Sequence, residues 1–153
     1  VPATFSVQTM LAAEALVEEY PGPACSIRFG GIYGRGKSRL VSRLEAGEIC
    51  PHEPAVISNR IHSVDCCRIF MHLLRRYQAG QPLDSIYLAV DSQPTPLYEV
   101  MQWLANKNRI PLASLKQGAA SARGGNKRCL NQRLLSSGFS LQYPSFKEGF
   151  SDR

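Results

Sequence analysis

The hydrophobic and polar positions in the first third of the chain predict alternating helix and strand. Residues 8–19 carry apolar side chains at helical spacing among strong helix formers, and the PGP sequence at 21–23 ends the predicted helix. The β-prone run 24–29 predicts a strand, which leads into a glycine-rich turn. A second apolar face runs from Lys37, and Gly47 is placed to end that helix.

The middle of the chain repeats this alternation. Residues 55–62 predict a short strand, and residues 64–80 predict an amphipathic helix. The continuous apolar run 85–90 is typical of a strand that is buried on both faces, and residues 97–108 predict another helix. Strand followed by helix, repeated, indicates an α/β protein with a parallel sheet.

The last third is less regular. Residues 108–127 contain Gly118, Gly124 and Gly125, which predicts a flexible loop. Beyond it we expect a short helix from Asn131 to Gly138, then a short strand, then a turn from Pro144.

The composition is that of one globular domain, with 153 residues and 44% hydrophobic side chains. No apolar run approaches the roughly 20 residues that cross a bilayer, so we expect no membrane segment. The five cysteines form no C-x-x-C motif, which favours free thiols and a cytoplasmic location. The first residues have neither an initiator Met nor the pattern of a secretory signal, so we expect a piece of a longer protein.

The formal charge of +6 is unevenly distributed. No acid occurs between Glu99 and Glu148, although basic residues continue through that stretch. This pattern favours an anionic partner. Aromatic residues are not interleaved with the bases, so a phosphorylated small molecule is favoured over nucleic acid.

Residues Gly31 to Ser38, GIYGRGKS, fit the G-x-x-x-x-G-K-[ST] pattern of a nucleotide phosphate loop. A strand precedes the motif, a helix follows it, and Asp91 after a later strand resembles a metal-positioning acid. However, Arg28 lies in the middle of the first strand, where burial on both faces would require a partner for its charge. A phosphate-loop nucleotidase or kinase therefore remains an alternative.

Two other kinds of site have weaker signals. Cys50, His52, His62 and Cys66 have spacings that zinc could accept, but Cys66 also fits the buried face of its helix as a small apolar residue. A serine hydrolase is excluded as a candidate because no G-x-S-x-G motif occurs. We predict no metal site.

Five segments, in one order, resemble the carboxyl-terminal half of extended short-chain dehydrogenase/reductases, the NAD(P)-dependent epimerase/dehydratase or nucleotide-sugar epimerase family. The segments are MLAAEALV, IRFGGIYGRGKSRL, NRIHSVDCCRIF, IYLAVDSQPTPLYEVMQWLA and LNQRLLSSGFSLQYPSFKEGF. In that family the arginine, tyrosine and glycines of the second segment mark the end of a central strand beside the nicotinamide. The resemblance thus explains Arg28 and makes Lys37 incidental.

The resemblance implies a fold and a set of sites. The fold is the end of a Rossmann-like parallel sheet, about 1–36 and 81–107, interleaved with a small α/β substrate-binding lobe, about 37–80 and 108–153. The dinucleotide-binding half would precede it. The implied cofactor-binding residues are Phe29, Gly30, Gly31 and Ile32, and the implied substrate-binding residues are Tyr33, Arg35, Arg39, Asn59, Arg60 and His62.

The glycines of the second segment have a physical rationale. Gly30 and Gly31 would let the backbone approach a ligand, and Gly34 and Gly36 would permit a tight bend. Asp65 retains the last acid of the family's H-V-D-D, whereas Val64 replaces the acid before it. A purely structural role at the start of the helix is equally open for Asp65.

One departure concerns catalysis. Counting back from Glu14 places Ser6 and Met10 where the family has Tyr-x-x-x-Lys, and neither can replace that acid/base pair. The resemblance implies NAD or NADP as cofactor and an anionic, nucleotide-linked or phosphorylated sugar as substrate, and it is compatible with a homodimer. The complete protein is therefore expected to be an epimerase/dehydratase-like oxidoreductase or a non-catalytic NAD(P)-binding sensor, and this segment alone is expected to be inactive.

Overall fold

The computed structural model describes residues 5–36, 39–118 and 126–151. Helices and strands alternate along much of the chain. The helices are α1 (Phe5–Glu18), α2 (Arg39–Glu45), α3 (Ser63–Gln78), α4 (Leu97–Lys107), α5 (Gln132–Ser136) and α6 (Phe146–Ser151). The strands are β1 (Ser26–Phe29), β2 (Gly31–Tyr33), β3 (Glu48–Ile49), β4 (Ile57–Ser58), β5 (Arg60–His62), β6 (Ile86–Ala89), β7 (Thr95–Pro96) and β8 (Lys116–Gln117).

The described strands pair two by two. The pairs β1–β6, β2–β5 and β3–β8 are parallel, and β4–β7 is antiparallel. Parallel partners need long crossover connections, which helices supply here. The α/β class with parallel pairing, predicted from the alternating pattern, is confirmed.

The chain crosses from the β1–β6 pair to the β2–β5 pair at Gly30. The Gly30 amide donates to the Ala89 carbonyl at 3.0 Å, and the next amide, of Gly31, donates to the Asn59 carbonyl at 2.8 Å. After β6, the Asp91 amide likewise connects the two pairs, because it donates to the Arg60 carbonyl of β5 at 2.6 Å. The carboxyl ends of β1 and β6 therefore meet the start of β2 and β5.

Most of the buried apolar side chains of the described residues form two clusters. One contains Leu44 of α2, Met101 and Leu104 of α4, and Phe150 of α6. The other packs α3 against β6 and α5 through buried apolar side chains. The structure buries the apolar faces predicted for α2 and α4. In α3 it buries Cys66, Ile69 and Leu73, whereas Phe70 and Leu74, expected on the same face, are 56% and 47% exposed.

Helix α1 differs, because none of its residues is buried. Its apolar side chains lie on the surface, with Phe5 83%, Met10 62% and Leu16 70% exposed. The helix is connected to β1 by an ion pair in which Arg28 Nε donates to Glu14 Oε1 at 2.7 Å. Arg28 therefore has its charge partner at the surface. Its guanidinium is not buried in a sheet, so no buried partner is needed.

Several local expectations are corrected. The strand expected after Gly138 is wrong, since residues 139–145 form no strand. The loop predicted for 108–127 contains a 3-10 turn and β8, and β3 and β7 were not expected. Residues 119–125, which include Gly124 and Gly125, lie outside the described residues.

The backbone at the glycine-rich turn does not form a phosphate loop over its described residues. Gly31–Tyr33 is an extended strand paired with β5, whereas a phosphate loop would curl these amides around an anion. Gly36 has a φ of +72°, as expected for a tight bend that favours glycine. Lys37 and Ser38 lie outside the described residues.

Candidate functional site

The β2–β5 pairing brings the two sequence-predicted segments into contact. Gly31 of the predicted cofactor-binding segment pairs with Arg60, and Tyr33 pairs with His62. The two segments are 29 residues apart in the chain at Gly31 and Arg60, and only the parallel register places them side by side. The candidate site is the junction formed by Phe29–Ile32, Arg60 and Asp91.

The glycines of the junction have different roles. A Cβ on Gly30 would lie 2.8 Å from the Asn59 carbonyl oxygen and 2.9 Å from Val90 Cγ1, so the fold itself requires glycine there. A Cβ on Gly31 would come no closer than 3.5 Å to any neighbour, and Ile32 is 47% exposed. Gly31 and Ile32 therefore present open backbone and an apolar side chain at the surface, which suits close approach of a flat ring.

Arg60 supplies positive charge beside this surface. A Cβ built on Gly31 would lie 3.9 Å from Arg60 Nη1. Arg60 Nε is buried and has no hydrogen-bond partner among the described residues. Burial lowers the pKa of Arg60 to about 10, so the side chain remains cationic at neutral pH. A buried donor without an acceptor suits a bound anionic or carbonyl group.

Asp91 lies at the carboxyl end of β6 and is only 3% exposed. Its Oδ1 accepts a hydrogen bond from the Gln93 amide at 3.1 Å. Burial raises the pKa of Asp91 to about 7, although the Gln93 amide and the Arg60 charge act in the opposite direction. The sequence marked Asp91 only through its place after a strand, as an element of the phosphate-loop alternative, and did not connect it with Arg60.

The remaining predicted substrate residues separate into buried and exposed groups. Tyr33 is 2% exposed, and it stacks on Phe150 with ring centroids 4.5 Å apart. Burial raises its pKa well above the ordinary value, so this phenol stays protonated. Arg35 and Arg39 are exposed near the start of α2. Both arginines are free to meet solvent, whereas Tyr33 belongs to the core.

His62 and Asn59 have clear structural contacts. His62 Nδ1 accepts the Val64 amide at 3.3 Å and so caps α3, and its ring lies 4.0 Å from that of Tyr143. Asn59 Oδ1 accepts the Cys129 amide at 2.9 Å, and Asn59 Nδ2 donates to the Lys127 carbonyl at 2.8 Å. These side chains thus fix the ends of β5: His62 contacts α3 and Tyr143, and Asn59 contacts the backbone of Lys127 and Cys129.

Asp65 connects α3 to the tail. The side chain is 0% exposed, and its two oxygens accept the amides of Gln142 and Tyr143, each at 2.9 Å. Asp65 Oδ1 also accepts Arg68 Nη1 at 2.6 Å. The sequence predicted a stabilising role at the helix start, and the contact with the tail, 77 residues later, could come only from the tertiary structure.

Helix α1 carries Ser6 and Met10 at the positions implied for the acid/base pair. They are four residues apart on one helix, so they share a face, and both are exposed. The helical spacing that the pair requires is present, but the ionisable groups are not. Proton transfer at this position would need a different group.

Among the described residues, no cluster of three or more His, Cys, Asp or Glu side chains could hold a metal ion. Cys50 and Cys66 are buried separately, and His52 packs edge-on against Tyr98 at 5.0 Å. His72 shares a 2.9 Å hydrogen bond with Ser137 Oγ, which connects α3 to the segment after α5. No described helix is long and apolar enough to span a bilayer.

The whole chain is similar to solved structures. A protein of Methylobacillus flagellatus, assigned as an NAD-dependent epimerase/dehydratase, is 32% identical with a TM-score of 0.81 over 99% of this chain and 54% of its own. The chain has the fold of the extended short-chain dehydrogenase/reductases. The resemblance stated from the sequence is confirmed.

Two more distant structures support the fold alone. The dTDP-glucose 4,6-dehydratase DesIV of Streptomyces venezuelae, solved with NAD, is 20% identical with a TM-score of 0.71 over 95% of this chain and 47% of its own. Human SDR39U1, solved with NADPH, is 16% identical with a TM-score of 0.69 over 95% of this chain and 52% of its own. The chain thus spans about half the length of these extended short-chain dehydrogenase/reductases. No family model and no curated protein sequence matches it.

Proposed function

We propose that the complete protein is an NAD(P)-binding epimerase/dehydratase-like protein that acts on a nucleotide-linked or phosphorylated sugar. The observation that supports this best is the β2–β5 register, which places open backbone at Gly31 next to the cationic Arg60. The backbone at Gly31 suits contact with a flat cofactor ring. The side chain of Arg60 suits binding of a phosphate or carbonyl oxygen.

Within this proposal the chain divides into two parts. Residues of about 1–36 and 81–107 end the cofactor-binding sheet, and residues of about 37–80 and 108–153 form the substrate lobe. Two observations on the described residues support this division. Strand β1 pairs only with β6, which leaves its other edge open, and α1 presents apolar side chains to the surface. The open edge of β1 suits a sheet that continues with further strands. The exposed apolar side chains of α1 suit a second layer that covers them.

The residues of the junction fit a nicotinamide cofactor. Gly31 and Ile32 would lie against its ring, and Phe29 and Gly30 would hold that backbone in place. The cofactor, when bound, would supply hydride-transfer chemistry. The chain's own contribution is to orient the substrate: Arg60 would bind an oxygen of it, and the nearby Asp91 carboxylate, when ionised, would attract the Arg60 guanidinium.

A non-catalytic sensor of the same fold is the second candidate. It is favoured by Ser6 and Met10, which cannot perform the acid/base step of the Tyr-Lys pair. Sensor and enzyme share the binding site and differ only in turnover. Turnover of a panel of nucleotide sugars by the complete protein therefore separates them.

The binding site can be tested with two substitutions. Gly31→Ala should leave folding unchanged because its Cβ has room, but it should weaken NADH or NADPH binding roughly tenfold if a ring approaches that backbone. Arg60→Ala should weaken binding of UDP-glucose, used as a probe, by a similar factor. Arg75→Ala, which removes an exposed arginine near the end of α3, is the matched control.

Cofactor and UDP-glucose affinities unchanged in both variants would show that the junction binds neither ligand. Binding of Mg-ATP that is lost in Lys37→Ala would favour the phosphate-loop alternative instead. Isothermal titration calorimetry on the complete protein measures all of these affinities.

A further inference from the structure

A second cleft lies between α4 and the start of α6. Its volume is about 580 Å³, and it is bordered by the turn before α4 and by Phe146 and Lys147 of α6. None of the residues of the junction lines it. The cleft adjoins the site proposed for cofactor and substrate at Gln93, whose amide donates to Asp91 Oδ1, but it has its own lining residues.

One side of α4 forms a polar wall of the cleft. Glu99, Gln102, Trp103 and Asn106 recur every three to four residues, so they share one side of the helix, while the opposite side is buried in the core. At about 1.5 Å per residue, the wall from Glu99 to Asn106 is roughly 10 Å long. This length suits a ligand of two linked rings better than a single small ion.

The ring of Trp103 is held in a fixed orientation. It packs edge to face against Phe146 with centroids 5.5 Å apart, and Lys107 Nζ lies 5.3 Å from the indole centroid. Lys107 is itself fixed, because its ammonium donates to the Phe150 carbonyl. A rigid aromatic group loses little conformational entropy when a ligand packs against it.

Several polar side chains of the cleft take no part in the described hydrogen bonds of the fold, although Thr95 Oγ1 donates to the Gln93 carbonyl and Arg128 Nη1 to the Pro94 carbonyl. No hydrogen bond connects the side-chain amides of Gln93, Gln102 and Asn106, or the indole N–H of Trp103, to any other described residue. A carboxamide both donates and accepts, so three of them match an array of hydroxyl groups. Among the residues that line the cleft, Glu99 of α4 is the one acid and Lys147 of α6 the one base, so the lining carries no net charge, and the nearby Lys107 ammonium already donates to the Phe150 carbonyl; this favours a neutral ligand over a phosphate.

We propose that this cleft binds a neutral saccharide of about two rings. The C–H face of the sugar packs against the partly exposed indole of Trp103, which the buried Phe146 supports from below, and the sugar hydroxyls exchange hydrogen bonds with Gln93, Gln102 and Asn106. This site is independent of the function proposed for the junction.

The test is saturation-transfer difference NMR on the complete protein with maltose, cellobiose and lactose as probes. At least one disaccharide should bind, and the double variant Gln102→Ala, Asn106→Ala should weaken its affinity roughly tenfold or more. Both positions lie on the polar wall, so the melting temperature should stay within a few degrees of the parent value. Gln78→Ala, which removes an exposed glutamine at the end of α3, should change nothing.

Three outcomes would overturn the proposal. The first is that no disaccharide binds at about 10 mM, well above the range of specific recognition. The second is a disaccharide affinity that the double variant leaves unchanged, which would place binding elsewhere, for example at the junction. The third is binding of adenosine or uridine, but of no saccharide, which would assign the cleft to a nucleobase.

Discussion

Replacing Asp65 by alanine should destabilise the protein strongly, because one carboxylate secures the whole tail. Asp65 is 0% exposed and accepts the backbone amides of Gln142 and Tyr143. The alanine has no acceptor, so the buried Tyr143 amide and the part-buried Gln142 amide both lose their partner. Its third partner, Arg68, is 38% exposed and can turn to water, so it adds little to the loss.

The magnitude follows from the two amides. Leaving a buried N–H without a partner costs about 1–3 kcal/mol, so two of them cost roughly 2–6 kcal/mol, with the part-buried Gln142 amide contributing the smaller share. That is a large part of the roughly 5–15 kcal/mol that stabilises an ordinary domain. Asp65→Asn keeps one acceptor oxygen but turns an amide donor toward the second N–H, so we expect an intermediate loss of about 2–3 kcal/mol.

Urea unfolding followed by circular dichroism measures these free energies. Asp84→Ala is the control, because it removes an exposed aspartate and should change the free energy of unfolding by no more than about 0.5 kcal/mol. Hydrogen exchange at Gln142 and Tyr143 should accelerate in Asp65→Ala before the rest of the chain opens. A loss below about 1 kcal/mol, with exchange at both amides unchanged, would refute the reasoning.

Two further predictions concern charged groups. The pKa of Asp91 is about 7 in the folded chain and lower when unfolded, so the folded state holds the extra proton and its stability falls as pH rises from about 4 to about 7. Asp91→Asn should therefore stabilise at pH 8 but not at pH 4 in urea unfolding, and an equal effect at both pH values would exclude this titration. The Arg28–Glu14 pair is 42% and 18% exposed, so a double-mutant cycle should give a coupling below about 1 kcal/mol that shrinks in salt. A coupling of several kcal/mol would show that α1 depends on this pair.

The local pattern identified most of the regular elements. Helices α2, α3 and α4 were predictable because their apolar residues recur at helical spacing and their ends carry glycine or charged residues. Strands β3, β7 and β8 were missed because each contains only two residues, too few to show any periodicity. Their pairing depends on neighbours that are distant in the chain.

The candidate site was predicted as two segments but not as one place. The glycines near Gly31 and the NRIH segment were both identified, and the register that pairs Gly31 with Arg60 was not. Tyr33 differs, because it was predicted in the site and the structure buries it. The family resemblance implied a ligand contact for Tyr33, and the structure shows its ring stacked on Phe150 and only 2% exposed.

By itself, the sequence determined where the longer helices lie and where the chain turns, but not α6, which was expected as a turn. These properties depend on residues close together in the chain, whose side chains and spacing are written there directly. Only the tertiary structure decided that Arg60 lies beside Gly31, that Asp65 anchors the tail, and that α1 keeps its apolar side chains at the surface. Each of these follows from contacts between distant segments, and strand register and packing, not local propensity, set the free energy of such contacts.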